Sequence, residues 1–256
     1  LSEEVWKCLE TMKHEGIPWD ATTFVCSLQT CNNGEFDENA QKLHVEIVMR
    51  GFEGHLFIGS ALVDMYATCG LLVEAQKLLD LLPVRNVVTW TALVSGYAEY
   101  GFINEALECL EDMLFDGISP NVITYACMFK ACSNVSALNK GQELYSQITK
   151  EGFPYDVNGT SRCKDEDVAM LTHSLIDMYG KCGNLIEALE TFKKMPQTDL
   201  VSWNALISGF AQHGHGEKVL RFADCMRRQG VKFNNITMVG ILTACSHTGL
   251  VEEAQN

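Results

Sequence analysis

Residues 87–121 read VVTWTALVSGYAEYGFINEALECLEDMLFDGISPN, and residues 200–234 read nearly the same, LVSWNALISGFAQHGHGEKVLRFADCMRRQGVKFN. The copies stand 113 residues apart and agree without a gap at 12 of 35 positions, including Trp90/Trp203, Gly96/Gly209, Gly101/Gly214, Leu107/Leu220, Met113/Met226, Gly117/Gly230 and Asn121/Asn234. A recurring unit of a few tens of residues marks a repeat array. In the first copy Trp90, Leu93, Val94, Tyr97 and Ala98 fall at helical spacing, Gly101 interrupts, and Ala106, Leu107, Leu110 and Met113 begin a second stripe that Gly117 and Pro120 end. Each copy therefore predicts two short amphipathic helices joined by a tight turn. Such a hairpin cannot bury its own stripes, so neighbours must stack on both sides.

The rest of the chain follows this frame. Residues 1–20 match the second half of the unit, with Met12, Gly16 and Asp20 in the places of Met113, Gly117 and Asn121. Residues 21–55 are a second flavour, which returns at 122–156 and, in part, at 235–256. A third flavour of 31 residues spans 56–86 and 169–199. Its Pro83 or Pro196 directly follows the second helix and should end it early. Lengths of 35, 31 and 35 thus repeat, interrupted by residues 157–168, VNGTSRCKDEDV, which carry no apolar period and predict a protruding loop. The expected fold is all-α, an α-α superhelix or solenoid of helix-turn-helix repeats. The sequence opens on Leu1 in mid-repeat and stops at Asn256 inside an expected helix, which reads as a piece of a longer protein.

No apolar run is long enough to span a bilayer. The 11 cysteines form no C-x-x-C and no Cys/His set at zinc-ligand spacing. Cys31, Cys132 and Cys245 share one repeat position, and Cys69 and Cys182 another, as small packed hydrophobes would, which points to a reducing compartment. No cofactor is expected. His44-Val45-Glu46 superficially fits the H-x-E of zinc deaminases, but no P-C-x-x-C follows. Nothing in the sequence provides a catalytic site.

The alternating lengths, together with VVTWTALVSGYAEYG, SALVDMYATCG, HSLIDMYGKCG and VSWNALISGFAQHG, resemble the plant pentatricopeptide repeat family in its subclass with three alternating motifs. The resemblance implies that first helices line a groove holding single-stranded RNA, one nucleotide per repeat, in a mitochondrion or chloroplast. It also implies a part in RNA processing, most specifically as the recognition portion of a C-to-U editing factor. In the family, the fifth and last residues of a repeat read the base edge, and the second, apolar, sandwiches the base. Carried over, the readers are Ser60 with Asn86, Thr91 with Asn121, His173 with Asp199, and Asn204 with Asn234. The sandwiching residues are Phe57, Val88, Met170 and Val201. The first two pairs favour adenine and the last cytosine. His173 is an unusual fifth residue, giving a station that is non-selective or weakly keto-preferring. Val25/His55 and Ala126/Asp156 are off-pattern, and repeats 21–55 and 122–156 are the expected docks for organellar editing helper proteins.

The formal charge of −14 runs against a polyanion partner, because phosphate contacts supply most non-specific affinity. Many acids fall in expected second helices (Glu74, Asp80, Glu105, Glu108, Glu111, Asp112, Glu187 and Glu190), away from the groove. The family's phosphate-contacting lysine near the end of the first helix is matched only by Lys181; Thr68, Glu99 and Gln212 occupy the other such places. Weak RNA binding by this stretch alone is expected. The rival reading is a helical scaffold that docks proteins.

Overall fold

A computed structural model describes residues 2–31, 38–150, 165–195 and 197–248. All described secondary structure is α-helical, with no strand among the described residues. The chain divides into two compact units, residues 1–124 and 125–256, with the change falling inside one helix.

The first unit contains α1 (Ser2–His14), α2 (Ala21–Thr30), α3 (Glu38–Met49), α4 (Leu56–Thr68), α5 (Leu72–Leu81), α6 (Val87–Glu99) and α7 (Ile103–Phe115). Helix α8 (Val122–Asn134) carries the change of unit. The second unit continues with α9 (Leu138–Lys150), α10 (Asp165–Lys181), α11 (Leu185–Lys193), α12 (Leu200–Gln212), α13 (Gly216–Arg228) and α14 (Asn235–Thr248). First helices stack on first helices, α2 on α4 on α6 in one unit and α10 on α12 on α14 in the other. Second helices pack back on their own first helices in α2 with α3, α4 with α5, α6 with α7, α10 with α11 and α12 with α13.

The repeat's apolar stripes make these cores. Trp90, Leu93, Val94 and Ala98 from α6 are buried with Ala106, Leu110 and Met113 from α7. Trp203, Leu206, Ile207 and Phe210 are buried with Val219, Ala223 and Met226 in the later copy. Both tryptophans are therefore packing residues. Burying such a ring contributes roughly 1.5–3 kcal/mol, which matters to hairpins that cannot stand alone. Gly101 turns the chain between α6 and α7 at φ +80°, a left-handed conformation that costs a side-chain-bearing residue energy.

Where the repeat is short, so is the second helix. α5 has 10 residues and α11 has 9, against 13 in α7 and α13. Helix α5 stops two residues before Pro83, as expected of proline; Pro196 lies outside the described residues.

One boundary differs from expectation. Helix α10 begins at Asp165, four residues inside the segment read as a loop, and Asp165, Glu166 and Asp167 form its acidic first turn. Carboxylates there face the positive end of the helix dipole, so a run that looks like solvated loop extends the helix instead. The remainder of that segment, 157–164, lies outside the described residues.

Candidate nucleic-acid interface

The last residue of a repeat precedes the first helix of the next, where four backbone N–H groups lack partners. The side chains present are good caps. Asn86 Oδ1 accepts from the N–H groups of Val88 and Thr89 at 2.9 and 3.0 Å, Asn121 Oδ1 from Thr124 N at 2.9 Å, Asp199 Oδ1 from Ser202 N at 2.9 Å, and Asn234 Oδ1 from Thr237 N at 2.9 Å. Thr89 and Ser202 return the favour to the cap's own N–H, completing capping boxes. Capping fixes the chemistry each residue still offers. The oxygen of Asn86, Asn121 or Asn234 is committed, so its Nδ2 donors are what it can present; Asp199 retains the acceptor Oδ2.

The fifth residues meet these caps across the repeat junction. Asn204 donates from Nδ2 to Asn234 Oδ1 at 3.2 Å. His173 Nε2 stands 3.0 Å from Asp199 Oδ1, a close pairing that lacks the alignment of a hydrogen bond. Thr91 reaches Asn121 through Thr124, whose hydroxyl is 2.7 Å from Thr91 Oγ1 and 3.0 Å from Asn121 Oδ1. Only the first pair departs from this: Ser60 donates to Leu56 O at 2.7 Å, with no described bond to Asn86.

Burial separates the members of most pairs. Ser60 and Asn204, two of the fifth residues, are only 7% and 8% exposed because they sit between stacked first helices. The Asp199 side chain is 51% exposed, while Asn86, Asn121 and Asn234 are half-buried. The cap is the more accessible member at Ser60/Asn86, His173/Asp199 and Asn204/Asn234, whereas Thr91 and Asn121 are both half-buried. Burial pushes the Asp199 carboxyl up, but the hydrogen bond from Ser202 N–H and the nearby His173 outweigh it, leaving the pKa below the ordinary carboxylate value.

Sequence reasoning missed the third residue of the repeat. Thr89, Thr124, Ser202 and Thr237 are each 0% exposed. Thr237 Oγ1 lies 2.6 Å from Asn204 Oδ1 and 2.9 Å from Asn234 Oδ1, so one buried hydroxyl holds both members of a pair. The recurrence of Ser or Thr at that place was the available signal.

The second residues project outward. Phe57, Val88 and Val201 are 68%, 59% and 54% exposed, and Met170 is half-buried. Ile123 and Ile236, at the same place in the repeats that begin at 122 and 235, are 53% and 57% exposed and belong with them. Exposed apolar side chains at one register position, beside a polar cap at Val88, Ile123, Val201 and Ile236, form alternating apolar and hydrogen-bonding stations.

Other expectations fare differently. Lys181 is half-buried and its ammonium is 2.8 Å from Asp177 Oδ2, so any phosphate must share it with a carboxylate. His55, at the N-cap of α4, makes no side-chain cap bond. Val25 and Ala126 are half-buried, and Asp156 lies outside the described residues. The eight acids named above on α5, α7 and α11 are all exposed. His44 Nδ1 is 2.7 Å from Tyr66 OH and Glu46 pairs with Arg50 at 2.7 Å, which gives that H-x-E structural roles. Cys31, Cys132 and Cys245 are buried, and Cys69 and Cys182 half-buried, whereas Cys8, Cys26 and Cys225 are exposed. Burial pushes the Cys109 thiol up to about 12 and that of Cys132 to about 11, so both are neutral packing groups at physiological pH. Among the described residues, no group of three metal-capable side chains comes together, and no helix is long and apolar enough to cross a membrane.

Comparison with known proteins gives concordant results. A model described as the PPR repeat family matches residues 85–134 and 198–247, and a PPR repeat model matches 173–199. A putative mitochondrial pentatricopeptide repeat-containing protein of Arabidopsis thaliana is 35% identical over 256 residues, covering 100% of this chain and 39% of its own length. The chloroplastic pentatricopeptide repeat-containing protein CRR2 of the same plant is 33% identical over 259 residues, covering 99% of this chain and 38% of its own. The chain thus spans about two fifths of these relatives. The crystal structure of the maize pentatricopeptide repeat protein PPR10 superposes with a TM-score of 0.50 at 22% identity, over 98% of this chain and 45% of that one, a likeness of fold.

Proposed function

The chain belongs to the pentatricopeptide repeat family, and from that premise we propose that it binds single-stranded RNA sequence-specifically, one nucleotide per repeat. The observation that carries this reading is the contact between fifth and last residues at the repeat junction, seen at Asn204–Asn234 and His173–Asp199. A base splayed from a single strand can be read on its Watson–Crick edge by two or three side chains, and stacked repeats offer them at a regular interval. The exposed cap meets the edge, and the fifth residue with the buried third-position hydroxyl fixes the cap's rotamer. Phe57, Val88, Met170 and Val201, joined by Ile123 and Ile236, cover the base faces.

The caps then divide the bases by donor and acceptor. The Nδ2 donors of Asn86, Asn121 and Asn234 suit the ring-nitrogen acceptors of adenine and cytosine. Oδ2 of Asp199 suits the ring N–H of uracil or guanine. Repeats 21–55 and 122–156, where the fifth place holds Val25 or Ala126, are assigned to docking organellar editing helper proteins. The alternation of 35, 31 and 35 residues supports the three-motif plant subclass, and mitochondrial and chloroplastic relatives support a place in one of those organelles. The role assigned is recognition within organellar RNA processing, specifically C-to-U editing.

Gel shifts test the reading. A strand bearing A-A-N-N-C from 5′ to 3′ is expected to bind more tightly than its scrambled forms, and equal affinity removes the base-reading assignment. In the plant, loss of the full-length protein is expected to leave particular organellar cytidines unconverted. Transcripts altered only in their ends or abundance would assign a different processing step.

A further inference from the structure

At the C-terminal ends of three successive second helices in the first unit, one register position carries an exposed apolar side chain each time. Met49 on α3 is 79% exposed, Leu81 on α5 79% and Phe115 on α7 92%. The register is fixed two residues earlier, where Ile47, Leu79 and Met113 are fully buried. In the second unit the same positions hold Lys150, Lys194 and Arg228, all exposed, so the fold itself does not ask for apolar side chains there. Single exposed hydrophobes are ordinary, but Val48, Val84 and Leu114, 47%, 58% and 39% exposed, adjoin these three and widen them into a stripe. Contacts between the linkers place these three helix ends in succession. A Cβ on Gly54 would lie 4.0 Å from Pro83 Cγ, and Arg85 bridges to Asp116 at 3.0 Å, so the ends of the three repeats follow one another along one edge.

We propose that this edge docks a partner protein segment in which apolar side chains alternate with Lys or Arg. The apolar half of that description comes from Met49, Leu81, Val84 and Phe115. The basic half comes from charge complementarity: Asp80, Glu111 and Asp112 flank the stripe exposed, and the unit around it holds 19 acidic against 6 basic residues. The same carboxylates repel an anionic lipid surface and a nucleic acid. The site is separate from the repeat-junction caps, so it does not rest on the RNA reading.

The test uses the whole chain and two synthetic fluorescent peptides of equal length and charge, one alternating Leu and Lys in an amphipathic pattern, the other with Ser in place of Leu. The Leu/Lys peptide is expected to bind, and the Met49→Gln/Leu81→Gln/Phe115→Gln variant to lose roughly tenfold in affinity or more. The Lys150→Gln/Lys194→Gln/Arg228→Gln variant is expected to keep the wild-type affinity. The Ser/Lys peptide should bind more weakly and be indifferent to all these changes. Phe115→Gln alone, at the most exposed of the three positions, is expected to weaken binding without moving Tm, which separates docking from folding. Unchanged affinity in the triple variant, or equal binding of the two peptides, overturns the proposal. A wild-type dimer in sedimentation that the triple variant dissolves overturns it as well, assigning the stripe to a second copy of the chain.

Discussion

Residues 1–124 hold 19 of the chain's 33 acidic side chains and 6 of its 19 basic ones, a net charge of −13, whereas residues 125–256 stand at −1. Residues 56–121 and 169–234 repeat two flavours at an offset of 113 and keep the same helix pairing, α4 on α6 and α10 on α12, which makes them a natural controlled comparison. Where helices cross, the first unit places Gly96 against Ala67, and a Cβ on Gly96 would come within 2.7 Å of the Ala67 Cβ. The second places Gly209 against Gly180, where a Cβ would come within 2.7 Å of the Gly180 Cα. At the linkers, Arg85 pairs with Asp116 at 3.0 Å in one unit, and Thr198 donates to Gln229 at 2.9 Å in the other. Gln229 also accepts from Trp203 Nε1 at 3.3 Å, while Trp90 Nε1 has no described partner and the Arg85 guanidinium lies 6.0 Å from the Trp90 ring centroid instead. Geometry is retained and charge is exchanged. The formal −14 is thus a property of one region, and the second unit would offer a polyanion little net repulsion.

The crossing helices should give the largest effect. Gly209→Val drives a branched side chain into the α10 backbone and is expected to cost about 3 kcal/mol, read as lost hydrogen-exchange protection in α10 and α12. Gly180→Ala merely recreates the residue of the first unit. Its Cβ would stand 3.1 Å from Gly209 Cα, and the better helix propensity offsets the tight fit, so a change within about 1 kcal/mol is expected. A large loss from that alanine would break the equivalence of the two crossings.

The linker contacts come next. Arg85→Ala removes the Asp116 pairing, the bonds to Leu79 O and Asp80 O, and the contact with Trp90. About 1–2 kcal/mol should be lost in thermal denaturation. Thr198→Ala, at the equivalent place, should cost about 0.5 kcal/mol. Equal losses would mean that the ion pair adds nothing to the neutral bond.

Smaller still is the electrostatic effect on RNA. Changing Glu105, Glu108 and Glu111 to Gln is expected to raise RNA affinity roughly two- to threefold at low salt and to have no effect at high salt. The smallest difference concerns pH. Asp199 in the second unit corresponds to Asn86 in the first, which cannot titrate. Because the folded pKa of Asp199 is lowered, its stabilisation is present above the unfolded value and lost as pH falls through the folded one. Wild type should therefore exceed Asp199→Asn in Tm at neutral pH, with the difference vanishing in acid. A difference independent of pH would remove the carboxylate from the account.

The two helices of each repeat, their cores around Trp90 and Met113, and the early end of α5 were legible because periodicity and proline act locally. Which fifth and last residues fall together in a repeat was legible from register, as Asn204 and Asn234 show. Their division of labour was not, because it depends on contacts such as Thr237 with Asn204, made 33 residues apart in sequence and absent from any helical period. The acidic start of α10 was misread for a related reason: Asp165, Glu166 and Asp167 look solvated in a composition window, and their value comes from where the helix begins. The stripe at Met49, Leu81 and Phe115 was equally hidden, since apolar residues in an amphipathic helix are read as core until exposure is known.

The direct test of the central claim is a base swap at one cap. Asn234→Asp keeps the cap on α14, because Asp and Asn cap equally well, and replaces the free Nδ2 donors with an acceptor. Binding to strands ending in cytosine or uracil opposite the 200–234 repeat should invert, with the wild type favouring cytosine and the variant uracil by roughly tenfold each, about 1.4 kcal/mol. An unchanged preference in a variant that folds with the wild-type Tm would contradict the reading of bases at the repeat junction.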